Sequence, residues 1–180
     1  MSKPSHTEIN LETIYHAYHK NVYNYIAYRI NNHYDAEELA NDVFVKAMRS
    51  LHTYKPALPM EGWLIGIAKN TVIDYLRKTH KRTFVVLDNV LELIDPNKQP
   101  EEVLVLNEDC RELMSAMTRL RDKERQILAM KFATGLSARE IGKLMHISES
   151  HVGVTTHRAL KKLRTYLEQS YKEETAHGRC

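Results

Sequence analysis

The sequence predicts an all-α protein of one domain or two small ones. Apolar residues recur at steps of three and four along most of the 180-residue chain, and strand-like alternation is scarce. With six Gly and five Pro, the composition is that of a folded protein rather than a disordered or fibrous one. The formal net charge of +3 hides segments of opposite sign, so charge is informative only segment by segment.

Several classes of protein are disfavoured by what the sequence lacks. It has no His-Glu-x-x-His, no phosphate-binding loop and no nucleophile elbow, so we expect no enzyme and no cofactor. Two cysteines do not make a disulfide framework, and His16 with His19 lacks a third ligand for a metal. The chain shows no signal peptide and no segment of transmembrane length, so we expect a soluble, cytoplasmic protein without membrane insertion.

Two helices are predicted in the first fifty residues. The first runs from about Thr7 to Ile30 with one apolar stripe, and Asn31 to Tyr34 forms a turn. Asp35 then caps a second helix, whose inner stripe is Leu39, Val43, Ala47 and Leu51. Its outer side is acidic. This side is either an ordinary surface, since acids near a helix N-terminus favour the dipole, or a docking face for a basic partner.

A third helix is predicted from Met60 to Arg82, after a loop that contains Pro56 and Pro59. Its first half is apolar nearly all round, which indicates burial. Its second half has five basic residues against two acids over the helix, a net of +3. The polar side chains of Asn70 and Tyr75 suit base edges and base stacking, respectively.

An acidic segment follows, and residues 83–118 have eight acids against two basic residues, a net of −6. Its first part is typical of an interdomain linker. Pro100 is placed to begin a helix that carries Val103, Leu106, Cys110, Leu113 and Met117 on its apolar side.

The remaining residues predict a helix-turn-helix unit. Gly135 suits a helix C′ position with positive φ, and Ser137 with Glu140 forms a capping box for a short helix. A break at His146 to Ser148 precedes a longer helix, capped by Ser148, with Val152, Leu160, Leu163 and Leu167 on its apolar side. From Arg119 to Leu167 there are eleven basic residues against four acids, a net of +7. This excess favours DNA binding over an ordinary helical hairpin.

Three stretches resemble the extracytoplasmic-function (ECF) class of bacterial RNA polymerase sigma factors. Asp35 to Met48 is similar to the helix of that family that binds core polymerase, and Gly62 to Arg77 to its segment that melts and reads the promoter −10 element. Leu120 to Arg164 is similar to its domain that reads the −35 element. The stretches occur in the order and spacing of the family and cover most of residues 11–167.

The resemblance implies two helical domains on a flexible linker. Sigma domain 2 would cover residues 7–82, the acidic linker 83–99 and sigma domain 4 residues 100–171. The implied partners are promoter DNA and core RNA polymerase, contacted at the clamp helices of its largest catalytic subunit and the flap of its second-largest subunit. An anti-sigma factor is the implied regulator.

The resemblance also implies contact residues. Those for core polymerase are Glu38, Asn41, Asp42 and Phe44. Those for the −10 element are Trp63, Lys69, Asn70, Asp74, Arg77 and Lys78. Those for the −35 element are Arg139, Ser150, His151, Thr155, Arg158 and Lys161.

The recognition helix departs from the family pattern, which commonly has Thr, Lys and Arg where this chain has His151, Gly153 and Thr155. We therefore expect an altered or weaker −35 contact. The alternative to an initiation factor is a stand-alone helix-turn-helix regulator, with the N-terminal helices as a dimerisation or sensor module.

Overall fold

The computed structural model describes residues 11–30, 32–87 and 108–177, and these residues are helical with short connections and no strand. The helices are α1 Leu11–Ile30, α2 His33–Ser50, α3 Met60–Leu87, α4 Glu108–Thr118, α5 Asp122–Ala133, α6 Ala138–Met145 and α7 Glu149–His177. A single 3₁₀ turn, Leu51–Thr53, follows α2. The all-α prediction is confirmed. Within these ranges no helix is both long and apolar enough to span a bilayer.

Helices α1, α2 and α3 pack against one another as a first body. The predicted inner stripe of α2 is confirmed for Leu39, Val43 and Ala47, which are buried, while Leu51 is partly buried. Leu64 and Ile65 are fully buried at the apolar start of α3, as predicted. The start of α1 before Leu11 lies outside the described residues.

The predicted cap of α2 was wrong by three residues. The helix begins at His33, and Asn32 is the N-cap, with extended backbone and a side-chain oxygen that accepts the Asp35 N–H at 3.2 Å. Asp35 instead lies in the first turn, where its carboxylate accepts the Asn32 side-chain amide at 2.8 Å. Asn and Asp are both good N-cap residues, so sequence preference alone did not separate them.

The predicted end of α3 was also too early. The helix continues to Leu87, five residues past the boundary expected at residue 82. The start of the predicted linker is therefore helical, and the rest of it lies outside the described residues. The predicted helix start at Pro100, with Val103 and Leu106, lies outside them as well.

Helices α4 to α7 form a second body that contains the predicted helix-turn-helix unit. Helix α6 begins with the capping box of Ser137 and Glu140, as predicted. His146 ends α6 in the left-handed region, with φ 54° and ψ 46°. Ser148 caps α7, because its hydroxyl accepts the His151 N–H at 3.2 Å.

Two details of this body differ from prediction. No glycine has positive φ in the part of the chain that the structure describes, so Gly135 is not a left-handed cap. Its N–H faces both Glu61 carboxylate oxygens at 3.2 Å, and a Cβ at this position would lie 3.3 Å from Glu61 Oε2. Leu160 is 39% exposed, and Ala159 takes the predicted inward position.

The two bodies are packed together. Helix α1 contacts α5 and α3 contacts α6, so one apolar cluster extends from Ile14 in α1 to Val152 in α7. Arg29 of α1 is 2% exposed, and its guanidinium donates to the Asp122 carboxylate of α5 at 2.7 Å. The bodies therefore share a core and an ion pair in which Arg29 is buried and the Asp122 carboxylate is exposed.

Candidate functional site

The predicted polymerase-binding residues are on the side of α2 that faces away from the core. Glu38, Asn41 and Asp42 are exposed, while Ala40 and Val43 on the opposite side are fully buried. Asn41 Oδ1 accepts a long hydrogen bond of 3.4 Å from the Tyr15 hydroxyl. This face is acidic and accessible, as a docking surface for a basic partner requires.

Phe44 lies beneath this face rather than on it. It is 4% exposed, and its ring packs edge-on against Tyr15 with centroids 4.9 Å apart and stacks on His19 at 5.9 Å. In this structure Phe44 therefore supports the α2 face from below. Its direct contact with a polymerase stays a prediction.

Three apolar residues on the same face were missed by the sequence reasoning. Tyr34, Val45 and Met48 are between 43% and 54% exposed. With Glu38 and Asn41 they form a stripe at steps of four, three, four and three along α2, which is the spacing of a helix–helix seam. Extending the apolar count to the outer side of α2 would have found them. We call Tyr34, Glu38, Asn41, Val45 and Met48 the α2 seam.

The predicted −10 residues on α3 fall into two groups. Asn70, Asp74, Arg77 and Lys78 are exposed, and Arg77 pairs with Asp74 at 2.9 Å. Trp63 is half-buried, with its ring 5.4 Å from that of Tyr54 in the preceding loop.

Lys69 differs from the exposed group because it contacts the second body. Its Nζ donates to the Leu144 carbonyl in the last turn of α6, at 2.8 Å. Glu61, at the start of the same helix, accepts the Asn21 amide at 2.6 Å as well as the Gly135 N–H. The packing of the two bodies thus occupies one of the six predicted −10 residues.

Tyr75 is turned toward α2. Its hydroxyl hydrogen-bonds the Asp35 carboxylate, and burial followed by this hydrogen bond raises the pKa of Tyr75 to about 12. The phenol stays protonated at neutral pH and holds α3 to the first turn of α2. Stacking of Tyr75 on a base would require this bond to break.

The predicted −35 residues lie in the helix-turn-helix unit. Arg139 on α6 and Ser150, His151, Arg158 and Lys161 on α7 are exposed, while Thr155 is half-buried. Gly153 is exposed, and a Cβ there would meet no atom within 4 Å. A side chain at position 153 would therefore begin in open space.

The histidines form no metal site in the ranges that the structure describes, where no cluster of three metal-binding side chains occurs. His19 Nε2 lies 3.4 Å from a Glu37 carboxylate oxygen, and the His19 ring packs on Tyr15. These contacts give His19 a packing role beneath the α2 face.

Comparison with known proteins identifies both bodies. The model of sigma-70 region 2 matches residues 14–83, and that of sigma-70 region 4 matches residues 110–163. The chain is 33% identical over 137 residues to the ECF RNA polymerase sigma factor ShbA of Streptomyces griseus, covering 74% of this chain and 72% of ShbA. It is 29% identical over 165 residues to SigX of Bacillus subtilis, another ECF sigma factor, covering 89% of this chain and 85% of SigX.

Solved structures share the fold. The sigma factor RpoE of Bartonella quintana, crystallised with the anti-sigma factor NepR, superposes with a TM-score of 0.72 at 16% identity, over 87% of this chain and 96% of RpoE. CnrH in complex with the cytosolic domain of CnrY gives a TM-score of 0.63 at 18% identity, over 88% of each chain.

The protein belongs to the ECF sigma factors, within the sigma-70 family. It is a transcription initiation factor that binds core RNA polymerase and directs it to promoters. The alternative of a stand-alone helix-turn-helix regulator has no better support.

Proposed function

We propose that residues 7–82 act as sigma domain 2, residues 83–99 as the acidic linker and residues 100–171 as sigma domain 4. Domain 2 binds the polymerase and opens the −10 element, and domain 4 reads the −35 element. The observation that carries this proposal is the placement of two accessible faces, acidic on α2 and cationic on α7, on different bodies of one chain.

The α2 seam with Asp42 forms the contact with the clamp helices of the largest catalytic subunit. Its carboxylates suit a basic partner, and its apolar members suit a partner helix that packs along α2. For the flap of the second-largest subunit, Phe132 of α5 supports a contact by domain 4, because its ring is 60% exposed.

The α2 contact is tested by binding of the full chain to core polymerase and by run-off transcription. The double variant Glu38→Lys/Asp42→Lys should weaken binding most at low salt, because screening over about 10 Å at 0.1 M suppresses exposed charge effects. Met48→Ala should weaken binding by roughly tenfold at low and high salt alike, since burying such a side chain contributes about 1.5–3 kcal/mol.

Ile73→Ala on α3 is the matched control, because Ile73 is exposed to a similar degree and lies off the α2 seam. It should bind as the unaltered chain does. Unaltered binding by both α2 variants would remove α2 from the interface, and failure of the unaltered chain to bind core polymerase would remove the proposed function altogether.

Promoter opening is assigned to the exposed end of α3. Asn70, Arg77 and Lys78 can meet phosphates and unstacked bases of the non-template strand, and Trp63 with its loop can line a pocket for one base. Lys69 joins them only after its ammonium leaves the Leu144 carbonyl. Separation of the two bodies is therefore part of the proposed mechanism.

The regulator we propose is an anti-sigma factor, by analogy with RpoE, the structural neighbour that was crystallised with the anti-sigma factor NepR. We place this regulation and promoter recognition in the cytoplasm, where the polymerase works. Catalysis of RNA synthesis stays with the polymerase, and this chain supplies recognition.

A further inference from the structure

The side of α7 that faces away from the protein core has an apolar residue at its centre. The inward side of α7 is defined by Val152, Ala159 and Leu163, all buried. At about 100° per residue, Val154 lies roughly 200° round from Val152, almost opposite the core. Ser150 and Lys161, both exposed, lie on the same line.

Val154 is 47% exposed although it is a β-branched apolar residue in the second turn of the recognition helix. Its neighbours at three and four residues on either side are polar and exposed: Ser150, His151, His157 and Arg158. Beside it, Gly153 presents no side chain and has open space around it. A groove floor can therefore approach this part of α7 more closely than it could if Gly153 were a long cation.

The chemistry of the major groove offers one apolar group at base edges, the C5-methyl of thymine. The isopropyl group of Val154 cannot form hydrogen bonds. A polar base edge packed against it would therefore lose its water without gaining a hydrogen-bond partner. The first turns of a recognition helix are the part that contacts base edges. The position of Val154 on the recognition helix and its apolar side chain thus both suit contact with a thymine methyl group.

We propose that Val154 reads the C5-methyl group of a thymine in the −35 element. This inference rests on the proposed reading of that element by α7, and it assigns a base preference to a residue outside the predicted −35 set. The proposed apolar contact lies between Gly153 and Thr155, two positions at which this chain has no cation.

The test uses holoenzyme reconstituted from core polymerase and the full chain. The −35 sequence is first selected from a randomised promoter library by transcription. Each selected thymine is then replaced by deoxyuridine, which removes the methyl group alone, and affinity is measured for the unaltered chain and for Val154→Ala. Leu160→Ala is the control, because Leu160 is also exposed and lies about 120° round α7 from Val154.

At one thymine, deoxyuridine should weaken binding by the unaltered chain and by Leu160→Ala about fourfold, the value of one buried methyl group. Val154→Ala should respond by less than twofold at that position. If all three proteins respond alike at every thymine, or if no thymine is selected, the inference is overturned while −35 reading stands. If no −35 preference is selected at all, the proposed reading fails and the inference fails with it.

Discussion

At the residue scale, His146 and Gly135 show how far the local sequence predicts backbone conformation. His146 has a positive φ of 54° at the start of the break that the sequence predicted. Gly135 was expected to have a positive φ and does not; its N–H donates to the Glu61 carboxylate of the first body, and a Cβ there would lie 3.3 Å from Glu61 Oε2. Local sequence indicates which backbone conformations a residue tolerates, but it does not indicate which distant group will pack against that residue. The approach of Glu61 to Gly135 could therefore not be predicted.

Gly153→Lys should strengthen the electrostatic part of binding to promoter DNA, although the longer side chain would reduce the close approach of the groove beside Val154. A Cβ at position 153 would meet no atom within 4 Å, and replacing Gly within α7 also removes a helix penalty of about 1 kcal/mol. One added phosphate contact should steepen the dependence of log affinity on log salt by about one unit. Fluorescence anisotropy of holoenzyme on promoter DNA across a salt series measures both quantities.

Gly153→Ala separates the two effects, because it improves helix propensity without adding charge. It should raise the stability of the second body and leave the salt slope unchanged. An unchanged slope with Lys would show that position 153 does not reach the phosphates.

At the element scale, helix ends were predicted best where a reciprocal pattern marks them. The capping box of α6 is specified by two residues three apart, whereas the start of α2 had two equally good caps within four residues. The end of α3 had no stop signal in the basic run, so the helix continued. The α2 seam was missed because an amphipathic helix is usually assigned one apolar side, and α2 has a second.

The α6 capping box should make stability depend on pH. Hydrogen bonds from the Ser137 hydroxyl and N–H, both 2.7 Å from Glu140 Oε2, hold the pKa of Glu140 below its usual 4.5. A lowered folded-state pKa contributes stability that is present above the unfolded value and is lost as pH falls through the folded value.

The variant Glu140→Gln should therefore be less stable than the unaltered chain near neutral pH, with the difference shrinking below about pH 4.5. Urea unfolding of both proteins over a pH series measures this. Glu149→Gln, which removes an exposed carboxylate from the first turn of α7, controls for the loss of one charge. A difference that stays constant with pH would rule out the capping carboxylate as its source.

At the scale of the whole molecule, the sequence predicted two helical bodies but not their packing. Val22 and Ile26 of α1 are buried in the same core as Ile127 and Met130 of α5. Helical periodicity within one segment cannot show that two distant segments share a core. Arg29 illustrates the limit: an arginine on an otherwise apolar stripe gives no sign that its partner lies 93 residues away.

Removing the carboxylate that neutralises Arg29 should loosen the closed arrangement. In Asp122→Ala the guanidinium stays buried without its charged partner, which costs about 1.5–3 kcal/mol in the closed form alone. Energy transfer between labels on α2 and α7 should report a larger open fraction, and urea unfolding should show lower stability.

Two further variants make this prediction specific. Glu168→Ala breaks an exposed pair with Arg164 and should change little. Adding Arg29→Met to Asp122→Ala removes the orphaned charge but keeps an apolar stem, and it should restore closure in large part. Equal open fractions in all variants would show that the ion pair does not hold the bodies together.

The continuous apolar cluster also has a kinetic consequence. A partner that needs surfaces lying between the bodies can dock only as often as thermal motion parts them, so its association rate reaches a ceiling as its concentration rises. Its apparent affinity is likewise reduced by the fraction of molecules that are competent at any moment. The hydrophobic residues that stabilise the free protein thus limit the rate at which it can bind the transcription machinery.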